Sequence, residues 1–189
     1  MLLLTSIALA TPGSDAQWTV LSGGDPYIEC TAVDSIPWCR STGLVELPID
    51  KVALTLEDMP KYKALFDSIS SIEVVSPPDT LHVVLDYPMG FDDRDYVAKY
   101  SRRTEGDVRI IAWEAVSGVP EVEGVVRMPR MAGEWRLTPE GGFTRVTYLW
   151  QAEVVGALPE MFWDTARKTA GKEALKDIRK ASERAAAGG

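Results

Sequence analysis

Short apolar runs separated by turn residues dominate the middle of the chain. The turns include Pro77-Pro78-Asp79, Glu105-Gly106-Asp107 and Pro139-Glu140-Gly141-Gly142. Because consecutive strands joined by short turns pair with their neighbours, the pattern predicts a six-stranded antiparallel meander. Its strands are predicted at 69–76, 80–87, 94–103, 108–116, 125–138 and 143–154.

Two further strands, at 27–33 and 38–47, precede this meander, and helical patterns surround it. We predict short helices at 14–22, 49–57 and 60–66, the last opened by Pro60. A longer helix begins near Pro159 and ends near Arg184, about 39 Å at 1.5 Å per residue. Since a sheet of this length twists and curls, wrapping it around the long helix buries the apolar side of both. The predicted fold class is α+β.

Composition limits the chemistry of the chain. Its 189 residues suffice for one domain, which we place at 14–184. The formal net charge of −8 argues against nucleic-acid binding and against docking on anionic lipid through a basic patch. One histidine and two cysteines make a zinc site improbable, and a nucleophile activated by histidine would have to use His82. We expect no metal and no cofactor.

The N-terminus indicates export. Residues 1–10, MLLLTSIALA, form an apolar run that ends in the small-x-small pattern of a signal peptide cleavage site, although no basic residue precedes the run. The alternatives are a disordered N-terminus or a short strand, in which case the protein stays cytoplasmic. Otherwise it is periplasmic or secreted.

The two cysteines are also consistent with export. A two-residue turn at Asp34-Ser35 places Cys30 opposite Cys39 in a hairpin, within reach of a disulfide. An oxidising compartment favours that bridge. Two buried free thiols are the alternative.

Strand parity points to an inward-facing row. Val146, Tyr148, Trp150 and Ala152 alternate with polar residues, so they are predicted to face inward. In 108–116 the even positions are apolar except for Glu114. In 125–138 Arg127 shares parity with Met131, Trp135 and Leu137, unless a bulge at Pro129 resets it. We therefore predict an ion pair of Glu114 with Arg127 on the wall of the interior. In the alternative, that pair only ties two strands together.

Three motifs resemble those of the StAR-related lipid-transfer (START) family. They are Arg94-Asp95-Tyr96-Val97 after Pro88, Gly124-Val125-Val126-Arg127 after Pro120, and Gly156-Ala157-Leu158-Pro159 before the last helix. Tyr96 departs mildly from the phenylalanine typical of the first motif, and Gly156 stands alone where the family has a pair. The resemblance implies a helix-grip fold, in which a curved antiparallel sheet wraps a long C-terminal helix around an internal apolar cavity. It also implies binding of a sterol, a phospholipid or another hydrophobic molecule. The ligand-binding candidates are Glu114, Arg127, Trp135, Val146, Tyr148, Trp150 and Phe162.

Three functions follow as hypotheses. The first is a monomeric carrier of a hydrophobic ligand, with Met89 and Phe91 at a loop tip that gates the cavity or touches a membrane transiently. The second is an enzyme of the cyclase or hydrolase type, using Glu114, Tyr148 and Arg127 as acid–base groups. The third is an interaction module in which large side chains fill the cavity.

Overall fold

A long antiparallel sheet and three α-helices make up the chain, as a computed structural model that describes residues 5–6, 11–31, 36–87, 92–155 and 159–187. The helices are α1 (Ile49–Glu57), α2 (Tyr62–Leu65) and α3 (Trp163–Ala187), and 3-10 turns at Met59–Lys61 and Glu160–Phe162 precede α2 and α3. The strands are β1 (Thr5–Ser6), β2 (Thr19–Ser22), β3 (Tyr27–Thr31), β4 (Trp38–Val45), β5 (Ile69–Ser76), β6 (Thr80–Leu85), β7 (Arg94–Glu105), β8 (Val108–Ser117), β9 (Val126–Arg127), β10 (Met131–Glu140) and β11 (Phe143–Ala152).

The predicted meander is confirmed. Strands β5, β6, β7, β8, β10 and β11 lie side by side in that order, each antiparallel to the next. Strand β11 then pairs with β4, which brings the hairpin of β3 and β4 and the outer strand β2 onto the end of the meander. The sheet therefore joins the N-terminal hairpin to the last strand of the chain through one strand pair.

Helix α3 lies against the inner face of the curved sheet, and the helix-grip fold is confirmed. Its buried residues begin at Gly171 and continue through Leu175, Ile178 and Ala181. Gly171 sits close to the sheet, where the hydroxyl of Ser41 donates to its carbonyl at 2.9 Å. A Cβ at Gly171 would lie 3.0–3.1 Å from three side chains of strands β3, β4 and β11, so the absence of a side chain allows the close approach.

The disulfide between Cys30 and Cys39 is present. The two residues are directly opposed in β3 and β4, with Cα atoms 4.0 Å apart. They pack with Ile28 and Trp150 in a small buried cluster. The predicted turn at Asp34-Ser35 lies outside the described residues, as do Met89 and Phe91. No described helix is long and apolar enough to cross a bilayer.

Three predictions of local structure are wrong. Residues 14–22 do not form a helix: 19–22 are strand β2, because pairing with β3 overrides the weak helical signal. The strand predicted at 125–138 is broken, since β9 pairs in parallel with β7 and β10 begins only at Met131. In β8 the odd residues Ile111, Trp113 and Ala115 face the core, not the even row that we predicted.

Candidate functional site

The inner face of the sheet carries a continuous patch of aromatic rings, which we call the aromatic face. Neighbouring rings have centroids 4.4–6.5 Å apart. Five of the rings come from the adjacent strands β7, β8, β10 and β11, and two come from the α2 region. Helix α3 packs over part of the same core. The members are Tyr62, Phe66, Tyr100, Trp113, Trp135, Tyr148 and Trp150.

Part of this face is a stack. Tyr148 lies at its centre, 4.7 Å from Trp150 and 4.4 Å from Trp135 with planes 14° and 27° apart. Trp135 in turn stacks on Phe66 at 5.8 Å. The alternation of β10 and β11 produces this row, because residues two apart on one strand share a face. Val146 is fully buried on the same face, so the predicted inward row of β11 is confirmed.

One polar atom on the aromatic face, Nε1 of Trp113, is buried without a hydrogen-bond partner among the described residues. The hydroxyl of Tyr148 is a second polar group on this face. Burial raises the pKa of the Tyr148 hydroxyl well above its usual range, so it stays neutral and able to donate at any physiological pH. The hydroxyl of Tyr62, by contrast, already donates to the carbonyl of Leu56 at 2.6 Å.

The first two turns of α3 pack loosely. None of residues 163–170 is fully buried, whereas burial begins at Gly171, where the helix meets Trp150. The turn before the helix exposes Met161 at 80% and Phe162 at 47%. Phe162, predicted from sequence to bind ligand, therefore lies at the exposed entry of α3 and not in the described core.

The ion pair predicted between Glu114 and Arg127 is wrong. The carboxylate that Arg127 holds is that of Asp95, through Nε and Nη2 at 2.8 Å each. Asp95 is fully buried, and its second partner is His82, whose Nε2 lies 2.7 Å from Oδ2. Arg127 also donates to the carbonyls of Val119 and Pro120 at 3.1 Å. This cluster lies on the outer face of the sheet, opposite the aromatic face.

The electrostatics of the cluster favour an ionised Asp95. Burial alone would raise the pKa of its carboxyl, but the hydrogen bonds from Arg127 and His82 outweigh burial and hold that pKa below its usual 3.8. The break between β9 and β10 is what allows the pair, because β9 can then lie beside β7 with Arg127 in register with Asp95. The chain's one histidine is thus engaged outside the aromatic face.

Glu114 also faces outward, from β8. It lines a recess of about 500 Å³ on the outer face, together with Lys99, Arg103 and Glu134. Nearby, Arg103 and Arg136 each donate to both Glu134 and Glu105 at 2.7–3.0 Å. A second recess, of about 460 Å³, runs along the solvent side of α3 between its lysines and Asp25. The first recess reaches Trp113 of the aromatic face, whereas the second contains no member of that face. An internal cavity stays a prediction.

Sequence reasoning found the β10 and β11 members of the aromatic face but missed four others. Tyr62, Phe66, Tyr100 and Trp113 were not among the predicted site residues. Tyr100 shares parity with Tyr96 in β7, a signal that was present in the sequence. Trp113 was missed because the even row of β8 was assigned to the interior. Nothing in the pattern of 60–66 indicated which of its residues would reach the sheet.

Comparison with known proteins is consistent with this geometry. The START domain family model matches residues 8–188. An uncharacterized protein of Pseudomonas aeruginosa is 31% identical over 103 residues, which cover 53% of this chain. The match spans about half the length of that curated relative, 51%.

Solved structures share the fold. A STAR-related lipid transfer protein from Xanthomonas axonopodis aligns over 88% of this chain and 98% of its own, with a TM-score of 0.77 and 22% identity. The human StAR-related lipid transfer protein 5 aligns over 90% of this chain and 88% of its own, with a TM-score of 0.82 and 14% identity. Identities this low establish a common architecture, and the chemistry must be argued from the residues of this chain.

Proposed function

Because the chain belongs to the START domain family, we propose that it binds and carries a hydrophobic small molecule, such as a sterol or phospholipid, against its aromatic face. The names of the structural relatives, which are lipid transfer proteins, support this class of ligand. Ligand sites are typically apolar and aromatic with a few polar groups that fix orientation.

The observation that carries the proposal is the pairing of a large aromatic face with an incompletely docked helix. Trp150 lies against Gly171, where the burial of α3 begins, and Tyr148 stacks on Trp150 at 4.7 Å. None of residues 163–170, the preceding part of α3, is fully buried. A ligand placed there would cover aromatic surface on one side and helix on the other. Apolar burial of this kind contributes about 25 cal/mol per Å².

We assign ligand contact to Trp135, Val146, Tyr148 and Trp150, with Phe162 at the entrance. The Tyr148 hydroxyl and the Trp113 indole are the hydrogen-bond donors available to a ligand oxygen. Glu114 and Arg127, which face outward, are left without ligand contact in this proposal. The family's internal cavity would lie between these side chains and α3.

We further propose that the protein acts as a monomer outside the cytoplasm after removal of residues 1–10. The disulfide supports an oxidising compartment. The exposed Met161 and Phe162 are apolar enough for transient membrane contact during ligand exchange.

One observation favours a second candidate. The rings of the aromatic face touch one another at 4.4–6.5 Å, so they fill much of the space in front of the sheet. In an interaction module these rings would serve only as a core. An enzyme is the third candidate, but His82, its most natural base, is bonded to Asp95 on the opposite face.

Native mass spectrometry of freshly purified protein, followed by lipid extraction, tests the proposal directly. Tryptophan fluorescence of delipidated protein should change saturably when sterols or phospholipids are added. Trp150→Phe should lose much of that change. Trp18→Phe, which alters a ring stacked on Arg40 outside the aromatic face, should keep it.

If no lipid class co-purifies or binds saturably, the carrier proposal fails and the interaction module replaces it. If a bound molecule is chemically converted, the enzyme candidate replaces it. A response that Trp150→Phe leaves unchanged would move the site away from the aromatic face.

A further inference from the structure

Arg94 is a buried cation on the inner side of the sheet. It opens β7 and shares a face with Tyr96, Ala98 and Tyr100, which belong to the main core. Only 4% of Arg94 is exposed, and it is opposite Leu85 in the register of β6 and β7. Its side chain therefore points to the aromatic side, whereas Asp95 next to it points outward.

No carboxylate of the described residues lies within ion-pair distance of this guanidinium. Its contacts are the ring of Tyr87, 5.1 Å from the guanidinium carbon, and the carbonyl of Asp92, to which Nη1 donates. Nε is buried without a hydrogen-bond partner. The preceding residues 88–91 carry no acidic side chain.

The flanking carboxylates are engaged elsewhere. Asp95 is held by Arg127 and His82, and Asp93 accepts a hydrogen bond from the backbone of Tyr87 at 3.2 Å. Arg127 donates to both oxygens of the Asp95 carboxylate through Nε and Nη2. The corresponding Nε and Nη2 edge of Arg94 is therefore suited to bind a carboxylate or a phosphate in the same way. The same edge of Arg94 makes no described hydrogen bond.

A buried charge is normally paired, because desolvation without a partner is costly. A guanidinium fork matches carboxylate and phosphate oxygens geometrically, and a ring on its face leaves that edge open. Arg94 shares the inner side of β7 with Tyr100, a member of the aromatic face. Tyr87, which contacts Arg94, also contributes to the raised pKa of the Tyr148 hydroxyl.

We infer that Arg94 is the head-group anchor of the bound molecule, which carries a carboxylate or phosphate on its apolar body. This inference rests on the proposed function, since it concerns the same site. It narrows the ligand from any hydrophobic molecule to an anionic lipid. The apolar body extends over the Tyr148 and Trp150 end of the aromatic face.

Two matched pairs of probes test it on delipidated protein. Palmitic acid and hexadecanol have the same alkyl chain, but only palmitic acid carries a carboxylate. Phosphatidic acid and diacylglycerol have the same acyl chains, but only phosphatidic acid carries a phosphate. Wild type is expected to bind the anionic member of at least one pair tenfold or more tightly than its neutral partner. The pair that shows the preference identifies the head group.

Arg94→Gln is expected to reduce that preference to twofold or less while leaving the neutral partner's affinity unchanged. It should not lower the melting temperature of the ligand-free protein, because it removes a buried charge that has no carboxylate partner among the described residues. A merely structural arginine would show the opposite, a loss of stability. Arg145→Gln, which removes an exposed arginine paired with Glu140, is the control and should keep the preference.

Equal binding of charged and neutral partners by wild type would overturn the anchor and leave the proposed function standing. So would a preference that survives in Arg94→Gln. Failure of all four probes to bind would overturn the proposed function itself. If Arg94→Gln does not fold, Arg94→Lys decides: it keeps the charge without the fork, and an undiminished preference there would contradict the anchor.

Discussion

Replacing Arg127 by leucine should destabilise the protein severely. The change leaves the carboxylate of Asp95, which has no exposed surface, with His82 as its remaining side-chain partner. Arg127 itself is only 14% exposed, so solvent screens the pair little. Removing one member of a buried, hydrogen-bonded ion pair costs about 3–5 kcal/mol. We expect a loss of that size in urea unfolding at pH 7.

The loss should shrink on acidification. The pKa of Asp95 is held below its usual 3.8 in the folded wild type, so its stabilising effect is present above that pH. It disappears as pH falls through the folded pKa. In Arg127→Leu the protonated acid is tolerated better than the stranded carboxylate. The two proteins should therefore differ less in stability at pH 3.5 than at pH 7.

A matched control and a double variant make the reasoning refutable. Arg145→Leu breaks an exposed pair with Glu140 and should change stability little. Asp95→Asn combined with Arg127→Leu should recover part of the single-variant loss, because no charge is then stranded. An Arg127→Leu loss no larger than the control, or strictly additive single effects, would refute the buried-pair argument.

Three other changes are predictable. Gly133→Ala should cost about 1–3 kcal/mol, because the new Cβ would overlap the ring of Trp113; unfolding at the wild-type urea midpoint would contradict this. Reducing the bond between Cys30 and Cys39 should cost roughly 2–3 kcal/mol in the chain-entropy model, seen as a lower melting temperature in dithiothreitol. Asp177→Asn should be neutral or stabilising at pH 7, since burial raises the pKa of that carboxyl and its Oδ1 has no hydrogen-bond partner in the described part of the chain; clear destabilisation would argue that the ionised form is needed.

The order of elements was predictable because turns and helix signals are local. Pro77-Pro78 and Gly106 separate strands whatever lies around them, and the spacing of 49–57 suits one helical face only. The structure reproduces that helix at the predicted bounds. The helix predicted at 14–22 was wrong for the opposite reason. Its strand exists only because β3 offers a partner, and tertiary pairing of this kind leaves little local trace.

Which residues of a strand point to the core was harder to predict, and β8 shows why. Its even row contains Ile110, which is 1% exposed although it faces outward. A further apolar cluster of Trp38, Ala132 and Leu149, with Trp18 against it, buries part of the outer face. When both faces of a strand are buried, a period of two no longer distinguishes them. The predicted ion pair on the interior wall failed because it relied on that distinction.

The partner of Arg127 was hidden by a break in the backbone. Sequence parity assumed a continuous strand through Pro129, but β9 ends at Arg127 and lies parallel to β7. The motif that holds Asp95 and the motif that holds Arg127 were both recognised. Their contact depends on a crossover of about thirty residues, which no pattern along the chain encodes.

The pairing of β4 with β11 determines when this protein can fold. Residues such as Ser41 and Tyr148 face each other across this seam, about a hundred positions apart in the chain. Folding is slow when so long a loop must close, because the entropy of loop closure is lost before the stabilising contacts form. The N-terminal hairpin must therefore wait for the last strand, and α3, synthesised later still, closes over it. A nascent chain of which three quarters has been synthesised still lacks β11 and α3, so it cannot yet form this fold.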